Sequence, residues 1–211
     1  MKIKPLEVLK PTAILVAICV LITAAVAGTN ELTKDRIAQQ QALKAEESRK
    51  IVLPGAESFT SVSGLDQIAE EAGGSAAITA GESAQGLLGY VFETSAKGYG
   101  GDVKVMTGIY WDGKIAGVVI LEHEETPGLG ANAEKERFRE QYVGLDANAG
   151  DITVVRYQTP VGQQIEAMTG ASITSRAVTA AVNEAVGLFQ RIDAEDFSGI
   201  FPNKADLGGD A

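Results

Sequence analysis

Four hydroxyl side chains crowd one short stretch of the chain, Glu166-Ala167-Met168-Thr169-Gly170-Ala171-Ser172-Ile173-Thr174-Ser175, in which Thr169, Ser172, Thr174 and Ser175 surround a Gly-Ala pair. Downstream the pattern is helical, with Val178, Val182, Val186 and Phe189 spaced by four, four and three. A helix N-terminus leaves amide N–H groups unpaired and carries the positive end of the helix dipole, so a phosphate is stabilised there. The same residues have a plainer use: Ser or Thr ahead of a helix accepts an amide hydrogen bond and caps it. On residue type alone both uses stand.

Two more glycine-bearing stretches come earlier. His123-Glu124-Glu125-Thr126-Pro127-Gly128-Leu129-Gly130-Ala131 is too long for a tight turn. Pro127 fixes φ, and Gly128 and Gly130 let the backbone bend or approach a ligand closely. Leu129 between them is an apolar side chain presented on a loop, suited to covering something flat, and a purely structural loop is the alternative. Lys97-Gly98-Tyr99-Gly100-Gly101-Asp102 reads by itself as a hairpin turn. It lacks the G-x-G-x-x-G spacing and the following helix of a dinucleotide fingerprint.

Metal chemistry is not expected. Glu122, Glu124 and Glu125 adjoin His123, but successive strand residues point to opposite faces. One cysteine (Cys19) and one histidine exclude a four-cysteine zinc site, an iron–sulfur cluster and an internal disulfide. Cys19 also lies in an apolar run, which argues against a Cys–His nucleophile pair. Redox or transfer chemistry has to come from a bound group.

Taken together and in order, Lys-Gly-Tyr-Gly-Gly, Glu-Thr-Pro-Gly-Leu-Gly and Thr-Gly-Ala-Ser-Ile-Thr-Ser behind an apolar N-terminus resemble the FMN-binding domain family. Within it the chain is most similar to the G subunits of Rnf-type complexes, the ion-pumping ferredoxin:NAD oxidoreductases. The C subunits of sodium-pumping NADH:quinone reductases share the domain and are typically longer. In this family the last hydroxyl of an S/T-G-A-T/S motif is joined through a phosphoester to FMN, by a magnesium-dependent flavin transferase that uses FAD. The resemblance therefore implies covalent FMN on Ser172, within Thr169-Gly170-Ala171-Ser172, and a phosphoprotein in that sense. Two departures are present: Ser stands where the family usually has Thr, and Glu166 stands where it usually has Asp. The resemblance further implies that Thr174 belongs to the cofactor site. It also implies that Thr126, Gly128, Leu129 and Gly130 line the isoalloxazine, with Gly100 and Gly101 nearby. The implied role is electron relay among the A, B, C, D and E subunits of an Rnf-type complex that moves Na+ or H+. No catalysis by this chain alone is implied. A non-redox membrane adaptor whose glycine loops are only turns is the rival of another class.

The elements that must position these motifs follow from composition and period. The chain has 211 residues, 45% hydrophobic and 22% charged, which suits one compact domain plus an appendage and excludes a mainly disordered chain. Its net charge of -10 repels phosphate backbones, so no nucleic acid is expected as a partner. Pro11 to Asn30 carries no charge over 20 residues, about the 30 Å of a hydrocarbon core. Lys2, Lys4 and Lys10 against Glu7 place Met1 in the cytoplasm and the remainder outside, on the inner (cell) membrane. A cleaved signal peptide ending at Ala25-Val26-Ala27 competes with the anchor, as do a buried core helix and lipidation at Cys19, which bulky Ile18 disfavours.

Residues 31–50 continue as a polar helix that Leu53-Pro54-Gly55 stops. Residues 56–86 read as loops with short elements that the pattern does not place. Strands are expected at 87–94, 103–110, 115–121 and 152–157, with a type I′ turn at Asp112-Gly113 and the third strand covered on both faces. A short charged helix is expected at 133–142 and a long one at 173–192. Helices and strands mix without a βα period, so the fold class is α+β. The division expected is 1–30 cytoplasmic stub and transmembrane helix, 31–55 juxtamembrane helix, 56–192 FMN-binding domain outside the cytoplasm, and 193–211 an irregular tail.

Overall fold

The structure is a computed structural model that describes residues 5–61, 76–84 and 86–194. The chain divides into two compact units, Met1–Lys44 and Ala45–Ala211. Helix α1, Pro5–Val52, provides the whole described part of the first unit and enters the second with its last two turns. It is long and apolar enough to cross a membrane, with mean hydropathy 2.4 over its most apolar 18 residues and none of that stretch buried. Pro11 sits inside the helix near its start, where it removes one helical hydrogen bond. Across the end of the apolar run, Thr29 and Thr33 donate back to the carbonyls of Ala25 and Thr29 (2.9 and 3.0 Å), and beyond it Lys34 pairs with Glu31.

The second unit is built on an antiparallel five-stranded meander in the order β1-β2-β3-β4-β5. Its strands are β1 Ser58–Thr60, β2 Ala77–Ser83, β3 Gly86–Lys97, β4 Asp102–Tyr110 and β5 Ile115–Glu122. Helix α3, Ser172–Ala194, lies on one face, and the short helix α2, Glu136–Arg139, precedes it. Val178, Val182, Val186 and Phe189 of α3 are buried with Tyr90 and Phe92 of β3, Val103, Val105 and Ile109 of β4, and Val118 and Ile120 of β5. Thr94 Oγ1 reaches from β3 to the Ala181 carbonyl (2.8 Å), so even the polar atom at this contact has a partner.

The other face is also covered. Val52 and Leu53, at the end of α1, form a second cluster with Val91, Met106 and Val119. The period of two in β4 therefore separates two apolar environments, and Met106, on the face opposite Val103 and Val105, is fully buried. The expectation that β5 is covered on both faces holds, since Val118 and Val119 enter different clusters. Gly108 and Gly117 stand opposite each other in the β4–β5 ladder, and the backbone of Val52 occupies the space their side chains would fill. Arg49 Nη2 donates to Glu93 Oε1 on β3 (3.0 Å), fixing the same junction.

Several expectations change. The β4–β5 connection is not a type I′ turn, which needs positive φ at both central residues. Only Gly113 has it (φ 88°): Tyr110 N donates to Lys114 O and Gly113 N to Tyr110 O (both 2.9 Å), so the loop has three residues with its left-handed position at Gly113. The helix expected at 133–142 breaks into a 3-10 turn Gly130–Glu134, α2, and a second 3-10 turn Glu140–Tyr142. The break falls at Lys135, whose extended backbone (φ -68°, ψ 137°) separates the first turn from α2, while Phe138 and Tyr142 are buried edge to face beyond it. The strand expected at 152–157 is shorter, β6 Thr153–Val155, and pairs in parallel with β7 Gln164–Glu166, which no alternation announces. The unassigned segment 56–86 supplies β1 and β2, and 62–75 lies outside the described residues. So does the tail from 195 onward, expected to be irregular.

A methyl group at Gly108 would collide with the Val52 carbonyl oxygen, so Gly108→Ala forces α1 off the sheet or bends β4. The expected cost is about 1–3 kcal/mol, read as a lower midpoint in thermal unfolding followed by Trp111, the single tryptophan. An unchanged midpoint would show that this contact is not what seats the helix end.

Candidate functional site

Glu125 is a buried carboxylate with donors from two other segments. The amides of Tyr99 and Gly100 donate to its Oε1 (2.6 and 3.1 Å), and the Thr174 hydroxyl donates to Oε2 (2.6 Å). Its own amide donates to His123 Nδ1 (3.1 Å), so that imidazole presents Nε2 toward Glu134 (3.5 Å). The three glycine-bearing stretches thus meet on one side chain. Burial by itself pushes the Glu125 pKa up. The hydrogen bonds from Thr174, Gly100 and Tyr99, with the charge of His123 when protonated, outweigh burial and hold it below the ordinary carboxylate value. Glycine at 98 and at 130 follows from the same contact, because a Cβ at either would strike the Glu125 carboxylate.

In front of this knot lies a cleft of about 530 Å³, within the usual range for a small-molecule site. Tyr99, Leu129, Tyr157 and Ile173 line it, and all four are large apolar or aromatic side chains left exposed. Leu129 is 46% and Tyr157 89% exposed, a concentration that marks a binding surface better than single exposed residues do. Tyr157 has φ of 56°, the one non-glycine residue with positive φ among the described residues. Gly128 (φ 78°) makes the turn that presents Leu129, with Leu129 N donating to Thr126 O (3.1 Å) and Asn132 Nδ2 to Gly128 O (2.8 Å).

The hydroxyls of the third stretch divide into two pairs. Thr174 and Ser175 are buried and engaged: Thr174 on Glu125, and Ser175 donating to Ala171 O (2.9 Å) while accepting from Met168 N (3.0 Å). Thr169 is exposed and Ser172 half-buried, and neither hydroxyl makes a hydrogen bond among the described residues. The capping use is not realised at Ser172, because Ala171 is the residue whose carbonyl accepts the first helical bond, from Ser175 N (2.9 Å). Ser172 is the first residue of α3, and the amides of Ser172, Ile173 and Thr174 have no carbonyl four residues back within the helix.

Of the expected site residues, Thr126, Leu129, Gly130, Gly170, Ala171, Ser172 and Thr174 line this cleft. Thr169 lies on a neighbouring cleft of about 320 Å³ with Lys135, Arg137 and Gln141. Gly100 and Gly101 stand against Glu124 rather than on the cleft wall. Sequence reasoning passed over Tyr99 and Glu125, though both lie within its motifs, and over Tyr157 and Ile173. Tyr157 carries no sequence signal. Among the described residues no group of His, Cys, Asp or Glu is arranged to hold a metal ion.

Residues 98–187 match the FMN-binding domain family, and residues 1–49 match the RnfG N-terminal region. Over 76% of its length the chain is 36% identical to a Clostridium ljungdahlii protein, the G subunit of a proton-translocating ferredoxin:NAD(+) oxidoreductase complex, covering 80% of it. Over 88% of its length it is also 36% identical to the G subunit of the Na(+)-translocating ferredoxin:NAD(+) oxidoreductase complex of Acetobacterium woodii, covering 93%. Among solved structures, Shewanella oneidensis NqrC is similar in fold (TM-score 0.51, 24% identity, 57% of this chain and 62% of that one). So is the C subunit of the Na(+)-translocating NADH-quinone reductase of Parabacteroides distasonis (TM-score 0.53, 17% identity, 73% and 96%). The chain belongs to the family of G subunits of ion-translocating ferredoxin:NAD(+) oxidoreductase complexes.

Because its folded pKa is lowered, Glu125 contributes stability that is present above the ordinary carboxylate range and lost as pH falls through the folded value. Asp146, held down by Lys114 and Asn148, acts in the same direction, and Glu184, pushed up by burial, in the opposite one. Glu125→Gln leaves the Thr174 donor facing an amide and should cost about 1–3 kcal/mol at neutral pH. It should also flatten the loss of stability below the carboxylate range in chemical unfolding followed across pH. An acid limb as steep as in the unmutated chain would remove Glu125 from its cause.

Proposed function

We propose that this protein carries FMN covalently on Ser172, outside the cytoplasm, and relays electrons in an Rnf-type complex that couples ferredoxin:NAD redox chemistry to cation translocation. The observation that carries the reading is the division among the hydroxyls: Thr174 and Ser175 are buried and bonded, whereas Ser172 is accessible at the head of α3. The surroundings fit the group. A flat ring suits the cleft between Leu129, Tyr99 and Tyr157, and the unpaired first-turn amides of α3 suit a phosphate. A phosphodiester there keeps one negative charge, favoured by the helix terminus by about 0.3–1 kcal/mol.

When bound, FMN supplies one- and two-electron chemistry, which this chain has no residue set to supply. The chain's own part is to present the Ser172 oxygen, to cover the ring with Leu129, and to hold the loops together through Glu125. Attachment balances as follows: the Ser172 oxygen bonds to the FMN-side phosphorus of FAD, the pyrophosphate P–O bond breaks, AMP leaves, and the hydroxyl proton is released. The catalyst for that step is a magnesium-dependent flavin transferase. The partners are the A to E subunits of the complex. The two relatives, at equal identity, are named for different cations, so the proposal covers Na+ and H+ as a class. The rival assignment, to the C subunits of NADH:quinone reductases, has fold likeness behind it, whereas the N-terminal match and the 36% relatives favour the G subunits.

Loading and orientation are each open to experiment. After co-expression with the flavin transferase, the denatured band should fluoresce in the unmutated chain, in Ser172→Thr and in Thr169→Ala. Ser172→Ala should abolish the fluorescence while the domain still folds. Fluorescence kept in Ser172→Ala and lost in Thr169→Ala would move the linkage three residues upstream, and none in the unmutated chain would end the covalent reading. For orientation, a cysteine placed at exposed Glu136 in a Cys19→Ser background should react with an impermeant thiol reagent on intact cells. Protection until lysis would reverse the topology.

A further inference from the structure

We propose that Arg156 is the cation that holds the flavin phosphate beside Ser172, an inference that rests on the covalent FMN reading above. Arg156 directly follows β6 and lines a small pocket together with Thr169, Gly170 and Ser172. Its side chain makes no ion pair or hydrogen bond among the described residues, although Glu166 borders the same pocket. Ser172 borders two cavities, and among the described residues Arg156 is the one basic side chain lining either of them. Arg156 is exposed, so its guanidinium is free to turn toward an anion carried on Ser172.

The geometry divides the labour between consecutive residues. Tyr157 borders both the small pocket and the large cleft, whereas Arg156 borders the small one alone. Ser172 belongs to both. The pocket on the Arg156 side, about 20 Å³, is too small to enclose a phosphate, so we place the phosphate at its mouth, on the Arg156 side, and the ring in the large cleft. Arginine suits the first place because a planar guanidinium can donate two parallel N–H groups to phosphate oxygens. Lys135 and Arg137 line the neighbouring cleft with Thr169 but not the pocket at Ser172.

The test separates phosphate from ring. The full-length chain with Ser172→Ala, which cannot be loaded covalently, is titrated with FMN and with riboflavin, which lacks the phosphate. FMN should bind about tenfold tighter or more. Arg156→Gln should bring FMN down to the affinity of riboflavin and leave riboflavin unchanged, Arg156→Lys should recover part of the difference, and added salt should weaken FMN alone. Arg191→Gln, which removes the same charge in the last turn of α3, should not move the ratio. On the covalently loaded chain, the 31P resonance of the phosphodiester should shift in Arg156→Gln and stay in Arg191→Gln. A ratio and a resonance both indifferent to Arg156 overturn the proposal and leave the flavin reading standing. No binding of either flavin, with no covalent flavin on the unmutated chain, overturns the reading and the proposal together.

Discussion

A carboxylate shut away from water must find its donors within the protein, and Glu125 finds them in segments that are far apart in sequence. The amide of Tyr99 lies 26 residues upstream and the Thr174 hydroxyl 49 residues downstream. Hydrogen bonds to a charged acceptor are worth roughly 1.5–3 kcal/mol each, and an unmet buried charge costs several kcal/mol. The arrangement is therefore close to all-or-none: either the three glycine stretches converge on this side chain or the charge is stranded. Glycine at 98 and 130 is a consequence, since any side chain there would strike the carboxylate. The cleft in front inherits its shape from that convergence. Leu129, Tyr99 and Ser172 face one space because the loops behind them share one anion.

The sheet supports this arrangement from both sides. On one face α3 seals the larger core and brings its own N-terminus to the cleft. On the other, the end of α1 sits in the notch left by Gly108 and Gly117 and makes the second cluster. The end of α1 is thus a packed part of the domain at Val52 and Leu53, both fully buried. The last two turns of α1 belong to the same compact unit as the sheet.

Much of the fold is legible in local pattern, and where it is not the cause can be named. The strands at 103–110 and 115–121 announce themselves by alternation and by β-branched residues, and α3 by its spacing of valines. Alternation alone does not say what covers the second face, where Val52 and Leu53 pack with Met106. The segment 133–142 has the composition of a helix. Its backbone is interrupted at Lys135, which is extended where a helix would continue, and composition does not announce that residue. β7 has three residues and one buried side chain, too little for a periodic signal.

Whatever depends on neighbours in the chain is legible in the order of residues. That comprises an uncharged run of membrane length, the strand and helix periods, and a motif order specific enough to suggest a flavin phosphate near Thr169 to Ser175. Only the tertiary structure decided which hydroxyl remains available, because engagement of Thr174 requires Glu125, and burial of Ser175 requires the packing of α3. It also decided that Tyr157 and Arg156 border Ser172, a proximity made by the loop between two short parallel strands and written in no local pattern. Short-range preferences act on backbone and side-chain entropy a few residues at a time. Which polar groups find partners, and which are left for a ligand, is settled when distant segments exclude water together.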